Sequence, residues 1–245
     1  KDIITFVSML KIRPAFSILL FLAPLFFLHG QPGTKPAGDM DLLHGSDSSI
    51  HRQLLINGRL WRGTYYNITG TEFLFTNEWL TGAITINGNH YPDLKVKLDV
   101  MNDQLLLPNP RTNTVVVLNM NMVRDFELLY NGTSYPFVKI PTENDQVEGY
   151  VQLLYDGRVK LYKKWKKRIL VNQDRLVQEF RSEEILYLKY DTAYYRIARK
   201  GDLFKPFGED KKELKKWIRE ERMHLNLSNI NTLIPLLRKI DSETM

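Results

Sequence analysis

"AITINGNHYPDLKVKLDV", residues 83 to 100, decides how the rest of the chain is read. Ile84 and Ile86 alternate with polar neighbours up to Asn87-Gly88, a pair that tolerates the positive φ angles of a tight hairpin turn. After Tyr91, the apolar residues Leu94, Val96, Leu98 and Val100 keep one side while Lys95, Lys97 and Asp99 take the other, the period-2 pattern of a half-buried strand. Three further pairs, Asn57-Gly58, Asn131-Gly132 and Asp156-Gly157, punctuate the chain in the same way. Strand-like runs lie between and beyond them: "TVVVLN" (114–119), "DFELLY" (125–130), "YPFVKI" (135–140), "YVQLLY" (150–155), "RVKLYKKWKK" (158–167), "ILYLKY" (185–190) and "AYYRIAR" (193–199). So many consecutive short strands predict a mainly β protein, an antiparallel meander forming a sandwich or open barrel over residues 51–200.

The period changes at the C-terminus, so residues 201–245 are read as a helical segment packed on the β body. In "GEDKKELKKWIREERMHLN" (208–226) Leu214, Trp217, Ile218, Glu221 and Leu225 fall at helical spacing. "SNINTLIPLLRKI" (228–240) sets Ile230, Leu233, Leu237 and Ile240 on one side of a second short helix, with Ser228 or Asn229 as its cap. Pro235 fits only the first turn, which moves that helix's start to Leu233 or Ile234.

The N-terminus reads differently again. Met9-Leu10-Lys11-Ile12-Arg13 is a short basic start, followed by the charge-free "AFSILLFLAPLFFL" (15–28) and turn-forming residues, the layout of a secretory signal peptide. Residues 1–30 are therefore read as upstream residues plus signal, with cleavage after Gly30, and 31–50 as a flexible leader rich in Pro, Gly, Ser and Asp. A retained anchor is the alternative, but the run is shorter than the roughly 20 residues that span a bilayer and contains Pro24. The expected location is the periplasm, the outer-membrane surface or the medium, with the membrane touched only through the signal segment. With no cysteine in its 245 residues the chain builds no disulfide, thiolate metal site or Cys nucleophile. Sequons at Asn67, Asn131 and Asn226 matter only in a eukaryotic secretory pathway.

Charge is unevenly placed. The net charge is +6, and residues 158–219 carry nineteen Lys or Arg against nine Asp or Glu, so a mildly acidic body joins a basic C-terminal third. The centre of that third is β-like: alternation after Asp156-Gly157 puts Val159, Leu161 and Trp165 on one face and Lys160, Tyr162, Lys164, Lys166 and Arg168 on the other. One reading is a solvated edge strand charged against aggregation. The other is a cationic face for an anionic envelope polymer or another envelope protein, nucleic acid being excluded by export. On that second reading, charge reversal at Lys164 and Lys166 removes retention on an anionic matrix without changing the melting temperature much.

Catalytic patterns are sparse, and no catalytic residue, cofactor or metal is assigned. The chain lacks G-x-S-x-G, H-E-x-x-H, Walker and G-x-G-x-x-G motifs. His44, Asp47 and His51 have metal-binding chemistry but fall in the leader, and His90 follows a turn. Asp99 with Asp103, or Asp125 with Glu127, would be the carboxylate pairs of the alternative function, a carbohydrate-active hydrolase. A third possibility is self-assembly in which acidic body meets basic third. Trp61, Tyr65, Tyr66, Phe73, Phe75 and Trp79 are read as core and rim rather than a sugar platform.

The stretch from "NGRLWRGTYY" through "NHYPDLKVKLDVMNDQLLL", followed by "YVQLLYDGRVKLYKKWKKRI" and "KKELKKWIREERMHLNLSNINTLIPLLRKID", resembles a family of uncharacterised exported proteins of Bacteroidota. The resemblance covers nearly the whole chain after the signal. It implies an envelope or secreted location and a β-rich body with a helical tail, and brings no functional residues. Asp191-Thr192-Ala193 resembles the O-glycosylation signal of those bacteria.

Overall fold

A computed structural model describes residues 55, 58–63, 65–141, 146–173 and 177–242. Residues 1–50, where a signal and leader are expected, and Asn57 lie outside the described residues. Eleven strands form one sheet: β1 Gly58–Leu60, β2 Leu80–Ile86, β3 Asn89–Asp99, β4 Gln104–Asn109, β5 Thr114–Leu118, β6 Val123–Tyr130, β7 Thr133–Ile140, β8 Gly149–Asp156, β9 Val159–Asn172, β10 Val177–Tyr190 and β11 Ala193–Ile197. Their order is β1-β5-β4-β3-β2-β6-β7-β8-β9-β10-β11, and every neighbouring pair is antiparallel.

Turn chemistry works as the sequence implies at two hairpins. Asn87 and Gly88 both take positive φ where Ile86 pairs with Asn89, and Asn131 and Gly132 do so where Tyr130 pairs with Thr133. Elsewhere it differs. Asp156-Gly157 opens a longer loop, since Asp156 pairs with Lys160, and Gly58 already belongs to β1. The sequence reading also lacks β4, whose Pro108 cannot donate to the ladder, and it starts β10 eight residues late.

The sheet curls back on itself. A flat sheet would hold β3 and β9, five neighbours apart, at roughly 24 Å, yet the turn after β3 touches β9 directly through Asp103 and Lys164 at 2.8 Å. Residues 69–74 close the ring by backbone hydrogen bonds. At one end Thr69 N–H donates to Gln178 O and Phe180 N–H donates to Thr69 O; at the other, Leu74 N–H donates to Leu98 O and Val100 N–H to Glu72 O. Ile84, Val96, Leu98, Leu105, Phe126, Leu128, Phe137 and Tyr150 pack within the curl.

A second core joins β9–β11 to the C-terminal segment. Val159, Leu161, Leu186, Leu188 and Ile197 pack against Leu203, Phe204, Leu214, Leu233, Leu237 and Ile240. A 3-10 helix, Lys200–Phe207, leads into α1, Lys211–Glu220; a 3-10 turn, Ile230–Thr232, leads into α2, Ile234–Ser242, with Pro235 in its first turn. Helix α1 ends before Arg222, which takes φ 52°, so the expected helix to residue 226 is cut short. Asn229 precedes the 3-10 turn without a side-chain cap bond. Helix α2 is pinned by Asp241, whose carboxylate accepts from Tyr155 Oη at 2.5 Å and Val159 N–H at 3.0 Å. Among the described residues no helix is long and apolar enough to cross a membrane.

Candidate functional site: a cationic face and its buried latch

Strand β9 is not an edge strand. It lies between β8 and β10, but β8 pairs with it only over Lys160–Lys163, and β11 pairs with β10 only from Leu186 onward. Residues 164–172 and 177–185 therefore run on as a two-stranded arm, crossing the closing segment, where Lys167 Nζ donates to Thr71 O at 2.6 Å and Phe73 O at 2.5 Å. Burial holds the Lys167 ammonium below its usual range, against the attraction of Glu72 and Asp99.

The row expected on β9 divides in two. Tyr162 is buried beside Tyr187 and Tyr194, and burial pushes its hydroxyl up to about 12. Lys160 is half-buried and salt-bridged to Asp156. Lys164 is buried: its ammonium donates to Asp103 Oδ2 at 2.8 Å, Glu148 O at 2.9 Å and Tyr150 O at 3.0 Å. It is a latch between the arm, the turn after β3 and the start of β8, so the expectation that charge reversal at Lys164 and Lys166 changes the melting temperature little is corrected for Lys164, whose ammonium is buried and paired. Lys166 and Arg168 alone of the row are exposed.

Register supplies what the row on one strand lacked. In β9–β10 the pairs Lys160/Lys189, Tyr162/Tyr187, Lys166/Glu183, Arg168/Arg181 and Leu170/Glu179 stand directly opposite, and in β10–β11 Tyr187 opposes Arg196. Directly opposed residues share a face. One face thus carries Lys160, Lys164, Lys166 and Arg168 from β9, Arg181 and Lys189 from β10 and Arg196 from β11, against Glu179 and Glu183. Glu179 accepts from Arg181 at 2.5 Å and Glu183 meets Arg196 at 4.0 Å. Two cross-strand pairs, Lys160/Lys189 and Arg168/Arg181, are cation against cation. Like charges directly opposite disfavour the ladder; here the carboxylates of Asp156, beside Lys160, and Glu179, beside Arg181, offset part of that repulsion.

A crevice of about 560 Å³ opens beside this face, lined by Asn102, Asp103, Gln146, Glu148, Lys164, Lys166, Lys167 and Tyr187. Asp103 also accepts from Tyr150 N–H at 3.2 Å. Burial pushes the Asp103 carboxyl up and the Lys164 ammonium down, in each case against the attraction of the other. Asn102 and Asp103 border a second cavity of about 580 Å³ shared with Arg59, Asn119 and Tyr150. The Tyr150 hydroxyl is buried without a hydrogen-bond partner in the structure described.

The carboxylate pairs do other work. Asp99 caps its own turn, accepting from Met101 N–H, Asn102 N–H and Asn102 Nδ2. Asp125 binds Arg124 at 2.5 Å, and Glu127 accepts from the Ser134 hydroxyl. The aromatic group is core and rim as read: Phe73 is buried, Phe75 packs on Tyr130, Tyr135 and Trp165, and Tyr66 is exposed. His90 lies in β3, exposed, while His44, Asp47 and His51 fall outside the described residues. Asp191 turns the β10–β11 hairpin with φ 56°, a structural use of that triplet. No protein-family model, curated protein or solved structure matches the chain.

Proposed function

We propose that the protein is an exported, non-enzymatic binding module that takes an anionic polymer or surface onto the β9–β11 face. The carrying observation is the Arg168/Arg181 opposition, exposed on both strands, with Lys166 two residues along β9 from Arg168. Opposed like charges disfavour the ladder, and an anion bound across Arg168 and Arg181 would lower that repulsion. Export rests on the sequence pattern of residues 9–30 and places the ligand among envelope components.

The test uses Lys166→Glu with Arg168→Glu, which leaves the Lys164 latch intact. The parent chain is expected to bind immobilised heparin at about 0.1 M ionic strength and to elute with salt, screening being the reason. The double variant passes through unretained, and its melting temperature stays near the parent's, because Arg168→Glu relieves the opposition to Arg181 while Lys166→Glu sets a carboxylate opposite Glu183. Equal retention of parent and variant overturns the proposal.

A further inference from the structure

We propose that the cavity of about 580 Å³ between the start of β8 and strands β1, β4 and β5 binds a small sugar acid, its carboxylate on Arg59 and a hydroxyl on Tyr150. The site shares no cation with the β9–β11 face, so the inference goes beyond the anion-binding reading and does not depend on it. Its volume falls within the range of small-molecule sites, which favour the mouths of closed sheets.

The strongest pointer is the Tyr150 hydroxyl. Tyr150 is 2% exposed and forms a wall of this cavity, yet its hydroxyl has no hydrogen-bond partner among the described residues. A buried donor left unmade is costly, and most such groups in folded proteins are satisfied. Burial, and after it the nearby Asp103 carboxylate, push this hydroxyl up, so it keeps its proton and can offer it to an acceptor. The ring rests edge-on against Phe126, which fixes its direction before any ligand arrives.

The other polar walls divide into engaged and idle groups. Asn102 is spent, since its Oδ1 accepts from Tyr65 Oη and its Nδ2 donates to Asp99. Asp103 already accepts from Lys164 Nζ and Tyr150 N–H. By contrast, the exposed Arg59 guanidinium and the Gln104 carboxamide make no hydrogen bond or ion pair among the described residues. Asn119 uses only its Oδ1, which accepts from Asn121 N–H. What remains is a surplus of donors, and a guanidinium among them suits a carboxylate, which it grips with two parallel N–H bonds. The idle amides and the phenol both give and accept, as sugar hydroxyls do. Leu105, Leu118 and Met120 supply an apolar wall for the C–H side of a sugar ring.

The test titrates the full chain with glucuronate near pH 7 by calorimetry, with glucose as the uncharged control and acetate as the ringless one. One saturable site per chain is expected for glucuronate, with both controls at least about tenfold weaker. Tyr150→Phe should weaken glucuronate about tenfold, and Arg59→Gln by about tenfold or more. Lys166→Glu/Arg168→Glu should leave the affinity unchanged. A glucuronate oligomer that binds more tightly than the monomer assigns the site to the end of an acidic glycan; equal affinity assigns it to the free sugar acid. Absence of saturable binding, acetate binding as tightly as glucuronate, or indifference to both Tyr150→Phe and Arg59→Gln overturns the inference. Binding lost in Lys166→Glu/Arg168→Glu instead overturns the cavity assignment and leaves the anion-binding face standing. Heparin retention that ignores those two residues, beside intact glucuronate binding, removes only the reading of the face.

Discussion

Replacing Lys164 by Met should cost this fold about 2–3 kcal/mol, because the ammonium is the buried member of a latch that ties three parts of the curled sheet together. Its side chain is 6% exposed and that of Asp103 27%. Removing one partner of a fully buried pair costs about 3–5 kcal/mol, and the partly wet Asp103 carboxylate keeps enough hydration to lower that range. At about 2–4 °C per kcal/mol for a domain of this size, the melting temperature should fall by roughly 5–10 °C. Asp103→Leu strands the lysine with two carbonyl acceptors and should cost a comparable amount. The double variant Lys164→Met/Asp103→Leu should recover much of the loss, since burial already opposes charge on both groups. Urea denaturation of parent, both single variants and the double gives the coupling energy, expected near 2 kcal/mol, with Lys166→Met as an exposed control within about 0.5 kcal/mol of the parent. A Lys164→Met cost below about 1 kcal/mol, or strictly additive single effects, would refute the latch.

Two other outcomes follow from single groups. Tyr150→Phe removes a buried hydroxyl that has no partner among the described residues, so stability should stay level or rise by up to about 1 kcal/mol; a loss larger than that in urea melts would reveal a bound partner at the second cavity. The Asp202 carboxyl is held down at about 2 by hydrogen bonds from Lys205 and from the backbone N–H groups of Arg199 and Ala198. A depressed carboxyl contributes stability above its unfolded value, 3.8, that is lost as pH falls towards about 2. Thermal melts between pH 5 and pH 2 should therefore fall less steeply for Asp202→Asn than for the parent, and parallel curves would rule this contribution out.

How much was legible in the chain varied with the range of the interaction. Asn87-Gly88 and Asn131-Gly132 made their hairpins where expected, because positive φ is a property of two residues and their immediate neighbours. Asp156-Gly157 did not, since its geometry answers to a bulge in β8 and to Asp241 arriving from α2. The row Lys160, Tyr162, Lys164, Lys166 and Arg168 was assigned to the right side of β9, because alternation is local, but its burial was misjudged. Whether a lysine on that side meets water or Asp103 depends on a turn 61 residues away. Arg181, Lys189 and Arg196 were missed for the same reason: nothing short-range announces which residues of β10 and β11 stand opposite β9.

Periods and turns spanning a few residues were enough for the mainly β character, the antiparallel connection and the late change to helix. Long-range packing set the rest: the curl that brings Asp103 to Lys164, the closing segment at residues 69–74, and the register that puts Arg168 against Arg181. A charge's energy depends on what surrounds it in space, so a run of lysines in one dimension holds both a buried latch and an open face until the sheet has folded.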